Sequence, residues 1–255
     1  LSARLSLFAI DSIPEVRPGD SVARLIVDAA RRTDAALAPG DVVVVAQKIV
    51  SKAEGRIVEL ASVTPSPRAI ETAAACRKDP RLVELVLRES TDIVRCVPDV
   101  LIVRHRLGFV VANAGIDQSN LEGADGRALL LPEDPDRSAE TIRREVAAAI
   151  GYAPAVIIND SFGRPWRMGI AGTAIGCAGI AALVDMRGST DRFGRVLQVT
   201  QIAAADELAA AASLLMGQGS EGRPVVVVRG VSAALLAAPS PATTLVRPST
   251  QDLFR

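Results

Sequence analysis

The chain has 255 residues with 29 basic and 29 acidic side chains, a formal net charge of zero that argues against nucleic acid or an anionic membrane as the main partner. Hydrophobic residues make up 49% but aromatics only 3%, so a core must be built from Ala, Val, Ile and Leu. The length allows one large domain or two smaller ones.

Leu5 to Ile10 reads as a first strand, and Asp11-Ser12-Ile13-Pro14-Glu15-Val16 leaves it as a loop. Pro18-Gly19-Asp20 is expected to cap a helix on which Val22, Leu25, Ile26 and Ala29 share a face. Pro39-Gly40-Asp41 turns the chain into Val42-Val43-Val44-Val45, a strand buried on both sides by composition. A polar loop, Gln47 to Arg56, follows, then a β-type run from Ile57 to Leu60. Ser66-Pro67 starts a helix and Pro80 to Arg88 another. Ile93-Val94, Val100 to Val103 and Phe109 to Ala112 look like antiparallel strands. They deliver the chain to Asn113-Ala114-Gly115-Ile116-Asp117-Gln118-Ser119-Asn120.

Leu129 to Pro135 reads as an extended linker, with Ser138 capping a helix that Gly151 stops. Ala155 to Ile158 is a buried strand, opening at Asn159-Asp160-Ser161-Phe162-Gly163-Arg164-Pro165-Trp166-Arg167 into a polar loop. The glycine-rich run from Gly169 to Gly179 allows either a packing helix or close-packed strands. Val196 to Val199 reads as a strand and Ala204 to Met216 as an alanine-rich helix. The loop Gly217 to Arg223 precedes the strand Val225 to Val228, and residues 234–255 read as a loosely held tail. Strands and helices mix without regular alternation, so the expected class is α+β with mixed and antiparallel sheets.

Cys76, Cys96 and Cys177 are isolated, which favours a reduced, cytoplasmic setting over a disulfide scaffold. His105, the single histidine, rules out the common zinc ligand sets, and its basic turn suggests a surface position. The beginning of the chain lacks a signal peptide's apolar segment, and Gly169 to Val184 is too short and glycine-rich for a membrane span.

Three polar segments carry chemistry. Lys52 offers a point charge to phosphate, although a lysine there is more often simply solvated. Asp117, Ser119 and Asn120 offer oxygens that suit magnesium or manganese, although this loop taken alone reads better as an ordinary Asx turn. Asp160 and Ser161 offer oxygens to a hard cation, and Arg164 and Arg167 offer forked donors to phosphate or carboxylate. Gly217-Gln218-Gly219-Ser220-Glu221-Gly222 spells G-x-G-x-x-G, but a helix precedes it and a strand follows, the reverse of the dinucleotide-binding order. Its amides can still form an anion-binding nest.

Together these motifs resemble the coenzyme F420-0:L-glutamate ligase family. The resemblance rests on Ala46-Gln47-Lys48-Ile49-Val50-Ser51-Lys52-Ala53-Glu54-Gly55, on Ala112 to Asn120, on Asn159 to Arg167 and on Gly169-Ile170-Ala171-Gly172-Thr173-Ala174-Ile175-Gly176. It runs from about Leu5 to about Gly230. It implies GTP-dependent ligation of L-glutamate to coenzyme F420-0, two divalent ions (Mg2+ or Mn2+), a monovalent cation (K+) and an intertwined homodimer.

Carried over by motif, Asp117 and Asp160 resemble the ligands of one divalent ion, and Ser161 and Gln218 stand where the second is held. Ile13, Pro14, Glu15 and Val16, with Gln47, Lys52 and Asn120, match nucleotide-contacting segments. So do Met216, Gly217, Gln218, Gly219, Ser220, Glu221, Gly222 and Arg223. Two positions depart from the pattern: Gln47 stands where a small hydroxyl residue is expected, and Gln218 is a weaker ligand than a carboxylate. Some relatives carry a C-terminal nitroreductase-like domain; this chain is expected to be the single ligase module alone. A metal-dependent phosphohydrolase and a non-catalytic nucleotide-binding regulator are the competing readings.

Overall fold

The computed structural model of the chain describes residues 4–33, 36–120 and 126–252. In chain order the strands are β1 (Ser6–Ala9), β2 (Val42–Ala46), β3 (Ile57–Glu59), β4 (Ser90–Val97), β5 (Val100–His105) and β6 (Val110–Ala112). They continue with β7 (Arg127–Leu129), β8 (Ala155–Arg164), β9 (Arg167–Ala178), β10 (Val184–Asp185), β11 (Gln201–Ile202) and β12 (Val225–Arg229). The helices are α1 (Val22–Arg32), α2 (Gln47–Ala53), α3 (Pro67–Cys76), α4 (Pro80–Arg88), α5 (Pro135–Ile150), α6 (Ala204–Met216) and α7 (Ala233–Ala237).

The uninterrupted Val and Ile runs form a central sheet in the order β1-β12-β2-β8-β9, buried on both faces. Alternation along β2 sends Val43 and Val45 toward α1 and α5, and Val42 and Val44 toward α6. Only β2 and β8 are parallel; the other neighbours are antiparallel. β4, β5 and β6 form a separate meander that packs with α3 and α4 around Leu101, Val103 and Val83. The expected α+β class holds. Among the described residues no helix is long and apolar enough to cross a membrane.

Local readings change in several places. Gln47 to Arg56 is not a loop: Gln47–Ala53 is helical, because no glycine or proline interrupts it before Gly55, and Ile49 and Val50 are buried. Asn159 to Arg167 is also not a loop. β8 continues to Arg164, turns at Pro165-Trp166 and returns as β9, so the glycine-rich run is a strand. Gly172 packs against the Ala209 carbonyl of α6 and Gly176 against the Pro135 carbonyl of α5. The register shift near Ile175 lets these two glycines serve opposite faces.

Ser21, not Asp20, caps α1 by accepting from the Arg24 N–H. α5 starts at Pro135 with Asp134 as its cap, so the linker is shorter than expected and Ser138 lies inside the first turn. Val196 to Val199 forms no strand; Val196 makes one isolated bridge, and β11 follows at Gln201. The tail is tied down: the Ser240 N–H donates to the Ile180 carbonyl at 3.0 Å, and the buried Ala242 donates its N–H to Asp136 at 2.8 Å. Its last three positions, 253–255, lie outside the described residues.

His105 is buried, not on the surface, because it shares the inward face of β5 with Leu101 and Val103. Its Nδ1 accepts from the Leu107 N–H at 3.0 Å, and its Nε2 lies 3.4 Å from Glu89. Glu89 also receives Arg56 at 2.9 Å and Arg106 at 3.0 Å. Burial pushes the Glu89 carboxyl up, but His105, Arg56 and Arg106 outweigh it and bring it down to about 2. A depressed carboxyl contributes stability above its unfolded pKa and loses it as the pH falls toward the folded value. Acid titration of the melting temperature should therefore show wild type losing on the order of 2–3 kcal/mol between about pH 4.5 and 2 that Glu89→Gln does not lose.

Candidate functional site

The directions of the strands decide where the site lies. β1 and β2 both run antiparallel to β12, and β8 runs parallel to β2, so β1, β2 and β8 end at the same edge of the sheet where β12 begins. Ligand crevices form outside such carboxyl ends. β2 stops at Ala46, opposite Asn159, and turns into α2. Asp160 and Ser161 therefore run past the end of their neighbour, and a cavity of about 830 Å³ opens there.

Segments distant in sequence line this cavity. Ile13, Pro14, Glu15 and Val16 follow β1; Gln47 and Lys52 come from α2; Asn120, Asp160 and Ser161 complete one side. Met216 ends α6, and Gly217, Gln218, Gly219, Ser220, Gly222 and Arg223 come from the loop between α6 and β12. Asp117 and Glu221 are outside the lining. Asp117 connects to it through an ion pair with Lys48, which is in the lining. Glu221 folds back on its own loop, accepting from the Gly219 N–H at 2.8 Å. Gly217, at φ +71° and ψ −175°, makes room for that carboxylate in a region of backbone space nearly reserved for glycine.

Neighbouring residues of a strand point to opposite faces, so Asp160 and Ser161 face different ways. Asp160 is close enough to Gln47, Lys48 and Asp117 to interact electrostatically with each. Ser161 points the other way and donates its hydroxyl to the Gln218 carbonyl oxygen at 2.9 Å. Asn159 shares that second face: its amide donates to Ser213 at 3.1 Å and contacts the Met216 sulfur, while its Oδ1 is buried without a hydrogen-bond partner among the described residues.

The two aspartates are shifted in opposite directions. Burial raises the Asp160 carboxyl to about 6, and the nearby Asp117 charge adds to this. The Ser161 N–H, Lys48 and Gln47 oppose the rise without cancelling it. For Asp117 the balance is reversed. Burial pushes it up, but Lys48 and Ser119 together hold it below the ordinary range. The Ser119 N–H donates to Asp117 Oδ1 at 2.6 Å and the Ser119 hydroxyl to Oδ2 at 3.1 Å. Asp117 is itself fixed by paired backbone bonds with Leu129 at 3.0 and 2.8 Å, after left-handed turns at Asn113, Ala114 and Gly115.

Among the described residues no group of three or more His, Cys, Asp or Glu side chains is arranged to hold a metal. The donors present are two carboxylates, the Ser161 hydroxyl, the Gln218 amide oxygen and the unpartnered Asn159 Oδ1. An all-oxygen set of this kind fits a hard cation that keeps water and meets phosphate. Lys48, Lys52, Arg17 and Arg223 face the same cavity with positive charge. Lys52 is 7% exposed and pairs with Glu15, tying α2 to the loop after β1. Arg164, Trp166 and Arg167 sit at the exposed end of the β8–β9 hairpin, outside the cavity lining. Lys48 and Asn159 belong to the recognised motifs but gave no individual signal; their roles depend on partners dozens of residues away.

The model of the family described as F420-0:Gamma-glutamyl ligase matches residues 11–230. A coenzyme F420:L-glutamate ligase of Methanothermobacter thermautotrophicus is 47% identical over 251 residues, covering 98% of this chain and 99% of the relative. The protein of that name from Methanopyrus kandleri is 44% identical, with 98% and 99% covered. That from Archaeoglobus fulgidus is 45% identical, with 91% and 90% covered.

Proposed function

The chain belongs to the F420-0:gamma-glutamyl ligase family, and from that premise we propose that it joins L-glutamate to coenzyme F420-0, and then to F420-1, using GTP. The observation that carries this reading is the cavity at the common end of β1, β2 and β8, where an oxygen-rich side meets several cationic side chains. A nucleoside triphosphate with its counter-ion needs both kinds of group in one place.

In the proposed reaction the acceptor carboxylate attacks the γ-phosphorus of GTP, the bond to GDP breaks, and an acyl phosphate forms. The glutamate amine then attacks the acyl carbon, phosphate leaves, and the amine proton passes to a carboxylate or water. Asp117 and Asp160 are the residues assigned to hold one divalent ion; Ser161 and Gln218, with the free Oδ1 of Asn159, are assigned to the other. When bound, magnesium or manganese supplies neutralisation of phosphate charge. Lys52 and the amides of Gly217 to Gly222 are assigned to orient the phosphates. Potassium belongs to the same proposal without an assigned residue. So does the intertwined homodimer, for which the exposed Trp166, Met168 and Ile170 of the β8–β9 hairpin offer an apolar surface.

Incubation with GTP, magnesium, glutamate and F420-0 should give glutamylated product by mass spectrometry, with GDP and phosphate in equal amounts. Phosphate release that needs neither glutamate nor F420-0 would identify a phosphohydrolase. Tight GTP binding without turnover would identify a regulator.

A further inference from the structure

We propose that Lys48 is the resident counter-cation of the site, holding Asp117 until a divalent ion takes that carboxylate and releases the ammonium into the cavity. The proposal rests on the assignment of Asp117 and Asp160 to a divalent ion given above.

The oxygens of Asp117 already accept from Ser119 and Lys48. Oδ1 accepts from the Ser119 N–H at 2.6 Å, and Oδ2 accepts from the Ser119 hydroxyl at 3.1 Å and from the Lys48 ammonium. Lys48 also donates to the Ser119 hydroxyl at 2.8 Å, so one ammonium fastens both side chains. A magnesium ion bound to Oδ2 at about 2.0–2.1 Å would need a lone pair that Lys48 and the Ser119 hydroxyl now occupy. Two cations do not share that position.

The remaining charges show why Lys48 is the group that moves. Lys52 is committed to Glu15 in the loop after β1, whereas Asp160 has no ion-pair partner among the described residues. The Lys48 side chain is 28% exposed and reaches the cavity on a flexible stem. With Asp117 and Asp160 holding an ion, Lys48 would lose its anion and its positive charge would face the cavity unpaired. Cation binding thereby prepares the site for an anion, and by linkage an anion that engages Lys48 favours the cation.

Two measurements on nucleotide-free protein test this. Acetylation footprinting with mass spectrometry should show Lys48 labelling rise several-fold when magnesium is added, while Lys52 stays protected. Manganese titration by calorimetry should show Lys48→Met binding the ion about tenfold more tightly than wild type, because no ammonium has to be displaced. Lys48 labelling unchanged by magnesium, or Lys48→Met binding manganese no more tightly than wild type, overturns the exchange while leaving the cation site standing. If wild type and Asp160→Asn bind manganese equally, or neither binds it, the cation assignment falls and the exchange falls with it.

Discussion

Asp160→Asn is expected to fold, to be more stable than wild type without metal, and to lose divalent-dependent ligation by at least about a hundredfold. The stability gain follows from the raised Asp160 carboxyl, which burial moves to about 6. A folded pKa above the unfolded one favours the folded state while the group is protonated. That contribution is complete below about pH 3.8 and lost as the pH rises through 6. At neutral pH the folded protein thus carries an ionised carboxylate it would rather hold neutral, a cost of up to about 3 kcal/mol that asparagine avoids.

Magnesium should reverse the order of stability, since wild type gains from a bound ion and Asp160→Asn does not. Thermal melts at pH 7 with and without magnesium check both signs. Below pH 6 the ion must displace a proton from Asp160, so its affinity should fall about tenfold per pH unit. An asparagine variant with full turnover would remove Asp160 from the metal site.

The second large effect concerns the scaffold. Gly176→Ala should lower stability by about 3 kcal/mol, roughly 6–12 °C in melting temperature for a chain of this size. An added Cβ would lie 2.3 Å from the Pro135 carbonyl carbon and 2.4 Å from its oxygen, so the start of α5 would have to move. That turn also holds Asp136, whose carboxylate accepts from the Cys177 and Ala242 N–H groups at 2.8 Å each. One methyl group would therefore disturb the strand, the helix and the tail together. Gly163→Ala is the control. Its Cβ meets nothing within 4 Å and its backbone is not left-handed, so its melting point should stay within about 1–2 °C of wild type. A Gly176→Ala melt equal to that of Gly163→Ala would show that β9 and α5 separate without cost.

Much of this protein is legible along the chain. The runs Val42 to Val45, Ala155 to Ile158 and Val225 to Val228 contain no polar interruption, and each becomes a strand of the central sheet. Ser66-Pro67 and Gly151 begin and end helices because capping and left-handed termination are local events within one turn. The motifs from Ala46 to Gly55, Ala112 to Asn120 and Asn159 to Arg167 carry the family, and Gln47, Lys52, Asn120, Asp160 and Ser161 line one cavity with most of the loop after α6, while Asp117, Ser119, Arg164, Arg167 and Glu221 lie outside its lining.

The tertiary structure decided what a linear pattern does not encode. Polar composition at Gln47 to Arg56 and Asn159 to Arg167 suggested loops, yet regular backbone persists in both because neighbouring elements bury their apolar positions. Asp160 and Ser161 are adjacent letters, but strand alternation places them on opposite faces, one toward Asp117 and the other toward Gln218. Lys48 meets Asp117 across 69 positions of sequence, and His105 meets Glu89 inside a core rather than in water. Sequence determines which backbone each short segment prefers and which chemical groups are present. Only the packed chain determines which charge faces which, because a charge's strength depends on its partner's distance and on the water both have lost.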